Sequence, residues 1–187
     1  MAASPSEREK MVRGELYLAS DPELVAGRVR ARRLWARYNA SDPADAAGRL
    51  ALLRELLGRV DETVAIEPPF YCDYGSQIAF GSSVFVNFGA VFLDPAPITI
   101  GDHAQLGPGV QLLTADHPRE AAVRLAGPEL GRPIHLGART WLGGGVIVCP
   151  GVTVGPDTVV GAGSVVTRNL PAGVVAAGNP CRVIRTL

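Results

Sequence analysis

Hydrophobic and polar positions in the second half of the chain repeat with a period of six residues. Glycines fall on one register, at positions 101, 107, 137, 143, 155 and 161, and Cys149 occupies the step between Gly143 and Gly155. An aliphatic residue precedes each of these positions: Ile100, Leu106, Leu136, Leu142, Val148, Val154 and Val160. Another small or β-branched residue lies two positions before each aliphatic one. Such a strict period predicts an internal structural repeat.

The repeat predicts a coil of short, flat strands joined by tight turns. One aliphatic side chain of each hexad points inward and stacks on its equivalents in neighbouring coils, while a small residue occupies the corner. Three hexads then close one turn of a triangular prism. The abundance of Val, Ile and Thr in residues 134–167 is also typical of an antiparallel β-sandwich. A period of six residues is too short for such hairpins, so we expect a mainly β solenoid.

The first 60 residues follow a helical pattern instead. Ser20-Asp21-Pro22 and Ser41-Asp42-Pro43 each place a side-chain acceptor and a proline where a helix begins. Leucines and other apolar residues then return at three- and four-residue steps, as in amphipathic helices. An earlier helix is expected from about Ser6 to Ala19. We therefore predict a helical cap over residues 1–60, a connecting segment over 61–77, and the coil with a C-terminal tail over 78–187.

The coil pattern is interrupted once, over residues 114–133. This stretch contains charged residues, two glycines and three prolines, but no hexads. The six-residue register survives from Gly107 to Gly137, so the interruption is a loop extruded from a continuous scaffold. Long loops on a rigid scaffold usually carry function.

The charge and the hydropathy of the chain argue against binding to nucleic acid or to a membrane. The chain has 18 basic and 18 acidic residues and no net charge, whereas a nucleic-acid binder usually carries a basic stripe. No apolar run approaches the roughly 18 residues of a membrane span, and the charged N-terminus lacks the apolar segment of a secretion signal. We expect a cytoplasmic protein that binds neither nucleic acid nor membrane. Cys72, Cys149 and Cys181 are far apart and are expected to be reduced core residues.

The three histidines differ in their predicted positions. His103 follows a coil corner, and His135 alternates with the inward-pointing Ile134 and Leu136, so both are expected on the surface. His117 lies in Thr114-Ala115-Asp116-His117-Pro118, where the extruded loop begins. A narrow core of small side chains leaves little room for catalytic groups, and an imidazole can accept a proton near neutral pH. His117 is therefore the leading catalytic candidate.

A series of short motifs along the chain resembles one enzyme family. In order, the motifs are Gly14-Glu15-Leu16-Tyr17, Arg28 through Arg33, Glu67-Pro68-Pro69-Phe70, Asp73-Tyr74-Gly75, Val86-Asn87-Phe88, Phe92-Leu93-Asp94, Ile100-Gly101-Asp102, Thr114 through Pro118, and Ala176 through Pro180. They are similar to motifs of the maltose and galactoside O-acetyltransferases, which are hexapeptide-repeat acyltransferases. The resemblance covers essentially the whole chain. It implies a left-handed parallel β-helix, a hand that the periodicity by itself does not specify and that opposes the usual right-handed crossover.

The family transfers an acetyl group from acetyl-CoA to a sugar hydroxyl. The resemblance implies that His117 is the general base, which removes the hydroxyl proton as the oxygen attacks the thioester directly, without a metal. A cysteine acyl-enzyme is disfavoured, because Cys149 replaces a repeat glycine and Cys72 has no adjacent histidine. The acceptor-binding residues carried over are Asn87, Asp94, Asp73 and Arg28. Asn87 and Asp94 also fit turn residues, and Arg28 also fits a solvated helix face.

The resemblance also implies a site for acetyl-CoA. It places Trp141 beside the pantetheine arm and the Gly144 N–H near the thioester oxygen. It places Arg182 and Arg185 near the nucleotide and suggests Thr167 and Arg168 for the 3′-phosphate. The family further implies a homotrimer whose active sites lie between neighbouring subunits.

Two alternative functions fit the sequence less well. A zinc hydrase resembling the γ-class carbonic anhydrases would need three converging histidines, and this chain has only three, at spacings of 14 and 18 residues. A non-catalytic scaffold would need neither the His117 loop nor the tryptophan-glycine segment. The acceptor stays open, because Ala19 stands where galactoside-type members carry an acidic residue. That difference favours a maltose- or glucose-type sugar, with a non-sugar hydroxyl as the alternative.

Overall fold

The computed structural model describes residues 4–187, so residues 1–3 of the predicted cap lie outside it. Three helices form the cap: α1 (Glu7–Val12), α2 (Pro22–Asn39) and α3 (Ala46–Leu56). Ser6 and Glu9 form a capping box at the start of α1, and Asp21 caps α2 by accepting a hydrogen bond from the N–H of Glu23. The predicted capping position at Asp21 is confirmed.

Two helix boundaries differ from the predictions. The helix expected from Ser6 to Ala19 ends at Val12, because the chain turns at Gly14, where φ is +72°. Residues Tyr17–Leu18 then form a strand, β1. The third helix begins at Ala46 rather than at Pro43, because Asp45 and not Asp42 caps it.

Parallel strands form the three faces of a prism. Face A is the seven-stranded sheet, face B the five-stranded sheet and face C the four-stranded sheet. The strands of face A are β2 (Ala65–Ile66), β5 (Phe85–Val86), β8 (Gln105–Leu106), β13 (Trp141–Leu142), β16 (Val159–Val160), β18 (Val174–Ala177) and the antiparallel β19 (Arg182–Thr186). Those of face B are β3 (Phe70–Cys72), β6 (Ala90–Leu93), β9 (Gln111–Leu113), β14 (Ile147–Val148) and β17 (Val165–Val166). Those of face C are β4 (Ile78–Phe80), β7 (Ile98–Ile100), β12 (Ile134–Leu136) and β15 (Thr153–Val154).

The chain passes from face A to face B to face C in every turn, which defines edges AB, BC and CA. The solenoid begins earlier than predicted. The segment 61–77, expected as a connector, contains β2 and β3, which pair in parallel with β5 and β6 as the first coil. Glu67 and Asp73, rather than glycines, follow β2 and β3, so the glycine register does not indicate this coil.

The predicted inward stacking is confirmed. On face A, the residues paired across successive strands are all at most 2% exposed: Ile66, Val86, Leu106, Leu142, Val160 and Ala176. Equivalent columns line the other two faces. The result is the expected β-helix with a helical cap and one extruded loop. Within residues 4–187, no helix is long and apolar enough to cross a membrane.

The extruded loop is ordered by a small sheet of its own. It contains β10 (Ala115–Asp116), the short helix α4 (Ala121–Leu125) and β11 (Pro128–Gly131). β11 pairs antiparallel with β10 on one side and with β1 of the cap on the other. The cap therefore holds the loop in place through backbone hydrogen bonds.

Candidate active site

The predicted site residues fall into two groups on different parts of the prism. Asp73, Asp94 and His117 follow β3, β6 and β9 and lie along edge BC. Asn87, Trp141 and Gly144 lie on face A and edge AB. Face B separates the two groups within one chain.

His117 lies on the strand-anchored part of the loop. Its side chain is exposed, and its backbone N–H donates to Oδ1 of Asp116 at 2.9 Å. The Asp116 carboxylate, whose side chain is 12% exposed, also lies 3.5 Å from the guanidinium groups of both Arg119 and Arg132. The imidazole thus projects to the surface from a backbone fixed by hydrogen bonds and ion pairs.

Two side chains that the sequence did not single out lie at the base of this loop. The Tyr17 hydroxyl of β1 donates to Oε2 of Glu129 in β11 at 3.2 Å. Burial, aided by the Glu129 charge, raises the pKa of Tyr17 well above its usual range. Glu129 also raises the pKa of Asp73, so it lies close to the predicted acceptor residues. The pairing joins residues 112 positions apart, and no local sequence signal indicates it.

Asp73 and Arg28 lie together beside the cap. Asp73 is half-buried, and its burial raises its pKa, whereas the charges of Arg28 and Arg32 lower it. Arg28 donates to the Tyr74 hydroxyl and to the Ala19 carbonyl, both at 2.6 Å. Because its guanidinium group has five N–H donors, these two bonds orient Arg28 and still leave donors for a ligand.

The expectation that Asp94 contacts the acceptor is corrected. Its side chain is 0% exposed and therefore has no surface to offer a substrate. Its Oδ1 accepts hydrogen bonds from the N–H groups of Asp73 (3.0 Å) and Tyr74 (2.8 Å), and its Oδ2 accepts one from Gln77 (3.3 Å). Burial raises the pKa of Asp94 to about 7, although the hydrogen bonds from the backbone oppose this rise.

A groove of about 470 Å³ on face A contains the second group. Asn87 and Trp141 line it, and the Trp141 side chain is 55% exposed. Among the described residues, the N–H groups of Gly143 and Gly145 donate to carbonyls at 2.8 Å, whereas that of Gly144 donates to none. Gly144 therefore offers the groove a free N–H and no side chain.

The groove is continued by a row of outward-facing residues on face A. Trp141 pairs with Val159, Val159 with Val175, and Val175 with Arg185. Because neighbouring strands lie about 4.8 Å apart, Arg185 lies about 14 Å from Trp141 along the face. Arg182 occupies the same terminal strand, opposite Ala177. Two arginines at the last strand of face A thus lie in line with Trp141, which forms the aromatic wall of the groove.

Thr167 and Arg168 are not part of this groove. They are exposed and follow β17, on the same edge BC as His117. Within one chain, the predicted cofactor-binding residues are therefore divided: four lie on face A and edge AB, and two lie on edge BC.

Comparison with known proteins identifies the family. Residues 10–61 match the maltose acetyltransferase hexapeptide capping motif, and residues 133–168 match the bacterial transferase hexapeptide model of six repeats. The chain is 48% identical to Nodulation protein L of Rhizobium meliloti (strain 1021), over 95% of this chain and 97% of that protein. The chain belongs to the maltose and galactoside O-acetyltransferase family of hexapeptide-repeat acyltransferases.

Solved structures of this family have the same fold as the acyltransferase described here. A maltose O-acetyltransferase from Clostridium difficile 630 matches with a TM-score of 0.97 and 42% identity over 99% of both chains. A hexapeptide-repeat acetyltransferase from Vibrio cholerae O1 biovar eltor, complexed with acetyl coenzyme A, matches with a TM-score of 0.91 and 40% identity. That match covers 98% of this chain and 99% of the other.

Family membership decides between the classes of function considered from the sequence. The acyltransferase is an enzyme and not a passive scaffold or a zinc hydrase. The surface positions expected for His103 and His135 are confirmed, and His135 contacts Thr99 on face C, away from edge BC. In the part of the chain that the structure describes, no three His, Cys, Asp or Glu side chains are grouped to hold a metal ion.

Proposed function

We propose that this protein transfers the acetyl group of acetyl-CoA to a hydroxyl of a maltose- or glucose-type sugar. Family membership supports the reaction class, and the observation that carries the proposal is the His117 loop. This loop presents an exposed imidazole from a backbone anchored to the cap, on the edge that also carries Asp73. The reducing interior of a cell fits its three free cysteines, and we place the enzyme in the cytoplasm.

The acceptor is activated by His117. A sugar hydroxyl is a weak nucleophile, so its proton must be removed as its oxygen attacks the thioester carbonyl, and His117 accepts that proton. Asp73 and Arg28 provide a carboxylate and a guanidinium for neighbouring hydroxyls of the sugar, and Asn87 provides an amide from the groove side. Attack is direct, and the thiolate of coenzyme A leaves.

The donor occupies the groove on face A. Trp141 packs against the pantetheine arm, and the Gly144 N–H stabilises the oxyanion that develops on the thioester oxygen. Arg182 and Arg185 bind the phosphates at the nucleotide end, which fits the distance of about 14 Å that three strand spacings give. No metal is needed for this chemistry.

The two halves of the site come together in a homotrimer. His117 lies on edge BC and the groove on face A, so edge BC of one subunit packs beside the groove of its neighbour. Thr167 and Arg168, which share edge BC, then reach the 3′-phosphate of the neighbour's cofactor. Outward apolar rows support such an interface: Phe85, Trp141 and Val159 on face A, and Tyr71, Val91, Ile147 and Val165 on face B.

The decisive experiment measures acetyl-CoA consumption against a panel of sugars and simple alcohols. We expect maltose or glucose to be the best acceptor and His117→Ala to lower kcat by about 10²- to 10⁴-fold. His135→Ala, which removes a surface histidine on face C, is the matched control and should retain parental activity. Parental activity in His117→Ala would overturn the general-base assignment. A non-sugar alcohol as the best acceptor would replace the proposed substrate class.

A further inference from the structure

Two buried polar side chains interrupt the apolar core of the solenoid at edge BC. Leu93 of β6 pairs with Leu113 of β9, so Asp94 and Thr114, the next residues, occupy equivalent positions in successive coils. Both side chains are 0% exposed. A buried polar group is costly unless it is hydrogen-bonded, and the partners of these two groups point to their role.

Thr114 holds the turn that contains Asp94. Its hydroxyl accepts from the N–H of Ala96 at 3.0 Å and donates to the carbonyl of Leu93 at 2.8 Å. Its own carbonyl accepts from the N–H of Arg132 at 2.9 Å, where the extruded loop returns to the coil. Thr114 therefore joins both ends of the His117 loop to the turn of the preceding coil.

Asp94 repeats this arrangement one coil further toward the cap. Its carboxylate accepts the N–H groups of Asp73, Tyr74 and Gln77, so it holds the turn that carries Asp73. Tyr74 in the same turn accepts the hydrogen bond of Arg28. A series of buried and partly buried hydrogen bonds thus runs from the base of the His117 loop to the predicted acceptor residues.

We propose that Asp94 and Thr114 form a positioning ladder that sets the acceptor-binding turn, residues 73–77, relative to the His117 loop. The proposal rests on the proposed function, in which Asp73 binds the acceptor and His117 activates it. Neither ladder residue touches the substrate. Both act through the turns that they hold, because their hydrogen bonds link three successive coils.

Hydrogen exchange tests the ladder without requiring a known acceptor. Thr114→Val removes the hydroxyl at nearly constant shape, and Thr114→Ser keeps it. We expect Thr114→Val to increase amide exchange about tenfold at Ala96, its direct partner, and also at residues 73–77, one coil beyond. Thr114→Ser should behave like the parent. Increased exchange confined to residues 93–96 would overturn the ladder.

Steady-state kinetics with maltose and glucose as acceptors test whether the ladder affects acceptor binding. Asp94→Asn turns an acceptor oxygen into an N–H₂ donor, so we expect the acceptor KM to rise about tenfold while the KM for acetyl-CoA stays within about twofold. Asp102→Asn is the control, because the Asp102 carboxylate accepts one N–H from the preceding coil at the remote edge CA.

An unchanged acceptor KM in Asp94→Asn, or an equal rise in Asp102→Asn, would overturn the positioning role. If the parent acetylates neither sugar, the proposed acceptor class is wrong, and the exchange experiment still decides whether the ladder exists.

Discussion

In the proposed site, Trp141 is the residue that best separates binding of the donor from binding of the acceptor. Its ring is 55% exposed and forms one wall of the groove on face A, so it contributes little to the core. We expect Trp141→Ala to raise the KM for acetyl-CoA about tenfold, since a large aromatic contact is lost. The acceptor KM should not change. Trp141→Phe keeps part of the contact and should give an intermediate KM, whereas a larger effect on the acceptor KM would contradict the assignment.

At the scale of single residues, the sequence predicts the direction of a side chain well where the residue lies within a hexad. Trp141 precedes the inward Leu142, so its outward direction follows from the alternation of a strand. Asp94 has no such constraint, because it begins a turn. Its carboxylate points inward because the N–H groups of residues 73–77 need buried acceptors. Partners supplied by another coil could not be predicted from the local pattern.

The corners of the coil make a prediction at the scale of elements. A Cβ on Gly143 would lie 2.6 Å from the backbone nitrogen of Ala162 in the next coil, whereas a Cβ on Gly144 would meet its nearest neighbour, Pro108, at 3.4 Å. We expect Gly143→Ala to lower the free energy of unfolding by about 1–3 kcal/mol, because backbone must shift to admit the methyl group. Gly144→Ala should leave it unchanged or slightly raised. Denaturant unfolding measures both, and equal stabilities would show that the coils can separate without cost.

The strands of the solenoid from β4 onward could be predicted from the sequence, but those of the first coil and of the loop sheet could not. These strands repeat a local pattern, so the period identifies them even though they are only two to four residues long. β1 carries Tyr17 and Leu18 in a stretch whose apolar spacing also fits a helix. Its strand conformation depends on pairing with β11, which is more than a hundred residues away. Such tertiary pairing overrides local propensity, and it keeps Tyr17 and Leu18 out of the helix that was expected to reach Ala19.

At the scale of the whole molecule, the separation of the two groups of site residues has a clear consequence. The His117 loop lies on edge BC, and the groove that contains Trp141 and Gly144 lies on face A. In the proposed trimer, every active site therefore takes its base from one subunit and its donor groove from the next. A trimer of 19.6 kDa chains would contain three such shared sites.

Mixed trimers test this arrangement directly. His117→Ala removes the base and leaves the groove intact, while Gly144→Phe fills the groove and leaves the loop intact, so each variant alone should be inactive. When the two are co-expressed and assemble at random, about a quarter of the sites should combine an intact loop with an intact groove. We expect the mixture to recover about that fraction of parental acetyl-CoA consumption, in material that elutes as a trimer. If both halves of the site belonged to the same chain, every site in the mixture would carry one defect, and no activity would return.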